Sequence, residues 1–413
     1  MKKFARNVLV LLGCFLVVVV CCIGLPDWRR LVYELDQKTF TKIADFLYPE
    51  NTPEENLPVL HLEYDGKQLD GAFAALQELD FKSYRNQNTW IPAQVTWKDT
   101  LQDCEVRFHG KTPNYHLVGN RHSLSLRCPS AVKGLRKFRL IVYERLWNNS
   151  VYIEGFASLF ELYYQRNTLI QVRLNTGNEN GSHLFYFEDP LKDEFLAQNG
   201  LIHLGLSDRK SAVIQSYDDT SKFSSQLLTE MAKSSKENKP YWTKYKQLNE
   251  AVAHPENSDL SEFFDLGYLS YFVNALKLGG IDGHGFTKEN FYLALDSNKM
   301  LFYPVLHRDC FVGKYETGLL PLYRPFYHPD GQQQHSPILA WILGDSSLNQ
   351  LCIAQWKKDR QQIQTHLRKL AAKPELELMG RSPRFGFISE TPFNKVDLLG
   401  NYSKLDAYYE KTP

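Results

Sequence analysis

From Pro58 the chain reads as short apolar–polar alternations. Pro58-Val59-Leu60-His61-Leu62 opens a strand, and a helix is expected over Asp70 to Leu79. Glu105-Val106-Arg107-Phe108-His109 and Ser123-Leu124-Ser125-Leu126-Arg127-Cys128 alternate with period two, which predicts half-buried strands. Leu135 to Tyr143 reads as another strand, and Val151 to Tyr164 as a helix. Gln171 to Leu174 and His183 to Phe187 form a second strand pair, joined by the turn Asn178-Glu179-Asn180-Gly181. Beyond Asp189 the texture turns helical as far as residue 279. The longest helix is expected from Asp259, an N-cap with Glu262 three residues on, to Leu278, with Gly279-Gly280 ending it. A β-rich region followed by a helix-rich region is an α+β pattern.

The segment before Pro58 has a different pattern. Val8 to Leu25 is an uncharged apolar run of 18 residues, preceded by Lys2, Lys3 and Arg6 and closed by Pro26-Asp27. That length is near the minimum for a membrane-spanning helix. The run lacks an Ala-x-Ala cleavage pattern, so it reads as a signal anchor over residues 1–26. The basic flank favours a cytoplasmic N-terminus, with the remainder extracytoplasmic. Residues 27–57 read as a juxtamembrane linker, 58–375 as the main domain and 376–413 as a C-terminal extension.

Charge changes this picture in one respect. The 413 residues carry 48 Lys+Arg against 47 Asp+Glu, net +1. Lys2, Lys3 and Arg6 supply that surplus, and without them the chain is slightly acidic. A general nucleic-acid binder needs a basic surplus, so that class is excluded. Three of the seven cysteines fall in the apolar run. Of the other four, Cys104 and Cys128 lie on neighbouring strand-like runs and are the best candidates for a disulfide, which export would permit.

The segment most suggestive of chemistry is Ile281 to Gly313. Asn290 to Leu295 and Met300 to Val305 read as the arms of a hairpin about the turn Asp296-Ser297-Asn298-Lys299. Antiparallel pairing brings the start of the first arm to the end of the second. Asp282, His284, Asn290, His307 and Asp309 are thereby gathered at one end. Asp and Asn oxygens are hard ligands suited to Mg²⁺, and a second carboxylate nearby can orient an attacking hydroxyl. His307-Arg308-Asp309 spells the kinase catalytic-loop tripeptide, but that motif requires Asn five residues after its Asp, and position 314 is Lys. Asp309-Cys310-Phe311-Val312-Gly313 therefore reads as the later, metal-binding block. An ordinary hairpin with turn and cap residues is the competing reading.

Taken in order, several blocks resemble the CotH kinase-like family of secreted and spore-coat atypical protein kinases. They are Trp90 to Val95, Cys104 to Gly110, Asn120-Arg121-His122-Ser123-Leu124, Val172 to Glu188 and Phe195-Leu196. Asp282-Gly283-His284-Gly285 with Glu289 to Leu293, Pro304 to Gly313, and Ser336 to Trp356 complete the series. The resemblance spans roughly Pro58 to Leu367. It implies a two-lobed atypical protein-kinase-like fold, with a β-rich N-lobe and a helical C-lobe, behind a single N-terminal transmembrane helix. It implies ATP with Mg²⁺ or Mn²⁺ as cofactors and an exported protein as substrate. By match, Asp282 resembles the catalytic-loop Asp, Asn290 and Asp309 the metal ligands, and Glu188 a residue near the nucleotide. Glu154 and Glu161, seven apart, both remain open as the helix Glu that pairs the phosphate-binding base.

The departures bear on activity. The family's phosphate-binding Lys falls where this chain has Arg121 and His122. Arg grips phosphate bidentately, so Arg121 can serve in binding. Lys111 is the other candidate base. His307 replaces the first acid of the family's Pro-Trp-Asp-x-Asp block. Three expectations follow: a membrane-anchored Ser/Thr kinase, a catalytically impaired scaffold at the envelope, or a metal-dependent hydrolase of envelope polymers.

Overall fold

In the computed structural model the described residues are 57–77, 89–109, 117–118, 121–142, 149–177, 180–190, 195, 199, 201–205, 239–279, 292–296, 298–307, 326–327, 333–334, 337–373, 376 and 397–411. They divide between two compact units, the first containing residues 57–142 and 167–188 and the second residues 149–166 and those after 188.

The first unit is built on β1 (Val59–Tyr64), α1 (Gly66–Gln77), β2 (Ile91–Trp97), β3 (Thr100–Phe108), β4 (Leu117–Val118) and β5 (Arg121–His122). It continues with β6 (Leu124–Val132), β7 (Leu135–Val142), β8 (Asn167–Asn175) and β9 (Asn180–Glu188). Seven of these strands close into a barrel in the order β1-β2-β3-β6-β7-β9-β8. Neighbours are antiparallel except at the seam, where β1 and β8 run parallel, Val59 opposite Gln171. Period-two alternation supplies the interior: Leu60, Leu62, Val95, Val106, Leu126, Phe138, Val172 and Phe185 belong to one buried cluster. A small barrel filled in this way is a packed core. Two-residue turns sharpen it. Lys98-Asp99 and Lys133-Gly134 all take positive φ, the mirror-image turn geometry that suits strand twist.

Cys104 and Cys128 form a disulfide between β3 and β6, adjacent to the Glu105–Arg127 register pair. The pairing expected from the sequence is therefore present.

The expected two-lobed atypical protein-kinase-like fold is not what these residues form, because the β-rich region is a closed seven-stranded barrel. The physical reason is the β1–β8 pairing. Alternation marks each strand as half buried, and does so equally for an open sheet and a closed barrel. Among the described residues no helix is long and apolar enough to cross a membrane. The Val8–Leu25 run lies outside them, as do Lys111, Cys310 and most of the linker over 27–57.

The second unit contains α2 (Asn149–Phe160), β10 (Leu201–Gly205), α3 (Lys239–Ala253), α4 (Leu266–Gly279), β11 (Tyr292–Asp296) and β12 (Leu301–Val305). Its later helices are α5 (Pro337–Gly344), α6 (Ser346–Ala371) and α7 (Leu398–Lys411). Here β10, β11 and β12 form a three-stranded sheet. The strand β10 was not anticipated in a region read as helical. The long helix expected from Asp259 is broken. Asp259 caps only a 3-10 turn, Leu260–Glu262, and Asp265 caps α4 by accepting from the Tyr268 amide at 3.0 Å. The cause is strand pairing: the Phe302 amide donates to the Phe263 carbonyl at 2.7 Å, drawing Phe263 and Phe264 out of helix.

Four helices, α2, α4, α6 and α7, form the second unit's core. Leu348, Cys352, Trp356, Ile363 and Leu367 lie on the buried face of α6. Gly155 of α2 is needed there, since a Cβ at that position would meet Leu370 Cδ2 at 2.5 Å. The C-terminal helix α7 docks through specific polar bonds. The Tyr409 hydroxyl donates to Asn274 Oδ1 at 2.7 Å, and Asn401 Nδ2 donates to the Leu278 carbonyl at 3.1 Å. Arg360 pairs with Asp406 and Glu410.

Candidate functional site

The hairpin expected from the sequence is present. Tyr292 pairs with Val305 and Asp296 with Leu301. Its turn is set by Asp296, whose Oδ1 accepts from the amides of Asn298 and Lys299 at 2.8 and 3.1 Å. The pairing begins two residues after Asn290. Asp282, His284, Asn290 and Asp309 lie outside the described residues. Arg121 is described in its backbone only, as part of β5.

What the structure does describe is the sheet beside the open end of that hairpin. A short segment after α2 runs alongside β12: Tyr164 bridges Leu306, the Leu306 amide donates to the Tyr163 carbonyl at 3.0 Å, and the Gln165 amide donates to the Leu306 carbonyl at 2.7 Å. His307 follows directly and is buried. Gln165 Nε2 donates to the Asp189 carbonyl at 2.9 Å, and Arg166 Nη2 donates to the Asp189 carboxylate at 3.0 Å. Asp189 is enclosed, so its charge is held by this pairing.

A tyrosine cluster ties the strand to α4. The Tyr268 hydroxyl donates to the Pro304 carbonyl at 2.6 Å and accepts from the Tyr163 amide at 3.0 Å. Tyr163 and Tyr303 stand edge to face with ring centres 5.5 Å apart, and Tyr268 and Tyr303 4.9 Å apart. Burial pushes all three phenols above their ordinary value. Of the three, Tyr268 is the hydrogen-bonding prop, its hydroxyl joining the Pro304 carbonyl and the Tyr163 amide. The chain leading to His307 is thus held from two sides, by residues 163–165 and by α4.

At the other end of α4, Lys277 lies over the Tyr409 ring and donates to Asn349 Oδ1 at 3.2 Å. Burial lowers its affinity for a proton. Burial also pushes the neighbouring Cys352 thiol up to about 12, which leaves it unreactive.

Within the barrel unit, Glu188 is fully buried and accepts from Arg139 Nη1 at 2.7 Å. The two face each other across β7 and β9. Arg107, Ser125, Arg139, Glu188 and Asn167 form one cross-strand row on the outside of the barrel. His122 packs edge-on against Phe108. Of the two helix glutamates, Glu154 lies 3.5 Å from Lys373, and Glu161 is an exposed residue of positive φ after α2.

Among the described residues no group of three His, Cys, Asp or Glu side chains is placed to hold a metal ion. The sequence reading passed over Arg139, Gln165, Arg166, Asp189 and Tyr268. A signal for two of them existed. The Asn178–Gly181 turn fixes the β8–β9 register at Asn175 opposite Asn180. Continued back along both arms, that register sets Arg166 opposite Asp189. No family model matches the chain, and no curated protein matches it.

Proposed function

We propose that the protein is an exported phosphotransferase that moves a phosphoryl group from Mg²⁺-bound ATP to Ser or Thr hydroxyls of an exported protein. The observation that carries the reading is the β11–β12 register, Tyr292 against Val305. In sequence, Asn290 shortly precedes and Asp309 shortly follows the two residues that close this end of the hairpin. The donor set fits Mg²⁺: one carboxylate and one amide oxygen, with phosphate oxygens to complete the shell. The metal would neutralise charge on the phosphates. Asp282 orients the acceptor hydroxyl and takes its proton. Arg121 holds phosphate oxygens, and Glu188 stays in the role of a group near the nucleotide. The order of sequence blocks is the further support.

Export is supported by the Cys104–Cys128 disulfide, a bond that persists in oxidising compartments. The apolar Val8–Leu25 run then serves as the membrane anchor, with the large domain extracytoplasmic.

The test is incubation of the full chain with γ-labelled ATP and Mg²⁺ or Mn²⁺, using an extract of exported proteins as acceptor. Wild type transfers label, and Asp309→Ala and Asp282→Asn lose at least a hundredfold. Equal transfer by wild type and Asp309→Ala overturns the site. A second reading, a non-catalytic envelope scaffold, is favoured by one observation: the Glu188 carboxylate is enclosed and held by Arg139. Under that reading, ATP with Mg²⁺ leaves the melting temperature of a folded chain unchanged.

A further inference from the structure

The helix α6 spans Ser346–Ala371, and one side of it carries charge of a single sign. Its buried face is apolar. Its exposed positions include Lys357, Lys358, Arg368 and Lys369 and no acid. At 100° per residue these four bases fall within about 120° of the circumference, and they extend over roughly 18 Å of helix. The one acid of that stretch, Asp359, is turned aside and accepts from the Tyr271 hydroxyl at 2.8 Å. Arg360, also exposed, is neutralised by Asp406 and Glu410. The four stripe bases have no ion-pair partner among the described residues. Gln361, Gln362 and Thr365 fill the space between them.

A solvated helix face ordinarily mixes both signs, because alternating charges at i and i+4 stabilise it. Here like charges accumulate at some cost to the isolated helix. His366, on the flank of the stripe, registers that field. Burial first, then Lys373 and Lys369, hold its ring below the ordinary value.

We infer that the Lys357–Lys369 face of α6 lies against anionic phospholipid headgroups. The partner follows from charge complementarity and from the Val8–Leu25 run, which would keep the domain beside a bilayer. The inference therefore rests on the anchor reading. Clusters of four or more bases on an amphipathic helix bind anionic lipid, each base near such a surface contributing about fivefold. A single membrane segment with a basic face gives two points of attachment, which limits the orientations the domain samples.

The experiment uses the full chain with vesicles of phosphatidylcholine, alone or mixed with phosphatidylglycerol. Flotation with the neutral vesicles reports the anchor. Reactivity of Lys357, Lys358 and Lys369 toward a water-soluble acylating reagent reports the face, with exposed Lys67 as internal reference. We expect reactivity to fall at least fivefold in the mixed vesicles only, and to recover in about 0.5 M salt, where screening is nearly complete. Lys357→Gln with Arg368→Gln restores the reactivity of Lys358 and Lys369. Normal flotation with unchanged reactivity in mixed vesicles overturns the inference and leaves the anchor standing. Failure to float with neutral vesicles overturns the anchor. Binding to mixed vesicles that is lost in the double variant then still sustains the face, and its absence overturns the face as well. Equal protection by soluble polyphosphate without vesicles shows a polymer partner and also overturns it.

Discussion

Glu188 and Arg139 offer the sharpest test of how the barrel unit is held. The Glu188 side chain is 0% exposed and the Arg139 side chain 20% exposed, with 2.7 Å between Oε1 and Nη1. Truncating one partner of a buried pair costs about 3–5 kcal/mol, because the other charge is left enclosed. Arg139 keeps some access to water, which moves the expectation for Glu188→Ala to the low end, about 3 kcal/mol. Glu188→Gln retains an acceptor and loses only the charge, for about 1–2 kcal/mol. Replacing both, as Arg139→Met with Glu188→Leu, removes the stranded charge and costs at least about 2 kcal/mol less than the two single changes added together. With two compact units a single global unfolding energy is ill-defined, so native-state hydrogen exchange is the assay. The amides of Ile141 and Tyr186, paired across β7 and β9, report on this region. The reasoning is refuted if Glu188→Ala costs under about 1 kcal/mol, or if the double variant costs the full sum.

Other consequences can be checked on the same chain. Removing the Cys104–Cys128 bridge, which spans 24 residues, by Cys104→Ala with Cys128→Ala should destabilise the barrel by about 3–4 kcal/mol. Hydrogen exchange in β3 and β6 measures the loss, and a change under about 1 kcal/mol argues against the pairing. Gly155→Ala should cost the second unit about 1–3 kcal/mol, since its Cβ would meet Leu370 at 2.5 Å, and Gly155→Ala with Leu370→Ala should recover part of it. His366 has a folded affinity for protons below its ordinary 6.5, mainly through burial. Its contribution is therefore complete above pH 6.5 and is lost as pH falls, because the unfolded chain protonates first. His366→Gln should flatten the fall in stability of the second unit between neutral and mildly acid pH, read from native-state hydrogen exchange of amides in α6. An unchanged slope would assign that pH dependence to other groups.

The strands of the barrel were legible where alternation is clear, as in β3 with Val106 and Phe108 and in β6 with Leu124 and Leu126 on the inner face. So was the β11–β12 hairpin, because Asp296 both stops a strand and supplies an oxygen to the turn. What local pattern does not carry is which distant strands pair. Nothing in Val59–Tyr64 names Gln171 as its neighbour, and that single parallel contact turns an open sheet into a closed barrel. The broken helix before α4 has the same origin. Asp259 has good capping chemistry but caps only a 3-10 turn, because the backbone of Phe263 is committed to Phe302, some forty residues away. At the candidate site the sequence singled out carboxylates by type. It overlooked their supports, Arg166, Tyr268 and Arg139, because a support is recognisable only once register is known.

The parallel seam also orders events in time. Every other barrel strand meets its neighbour across an antiparallel ladder, and β2, β3, β6 and β7 can assemble progressively as the chain emerges. The first strand joins β2 in the same way, but its other edge cannot be covered so early. That edge must wait, unpaired, until Gln171 and its neighbours have been made and delivered. Non-local pairings of this kind slow folding and leave a sticky edge in the interval. Cys104 and Cys128 both precede Gln171 in the chain, so their link can join β3 to β6 while the barrel is still open. The outer edge of the first strand to be made is thus among the last edges of the barrel to be covered.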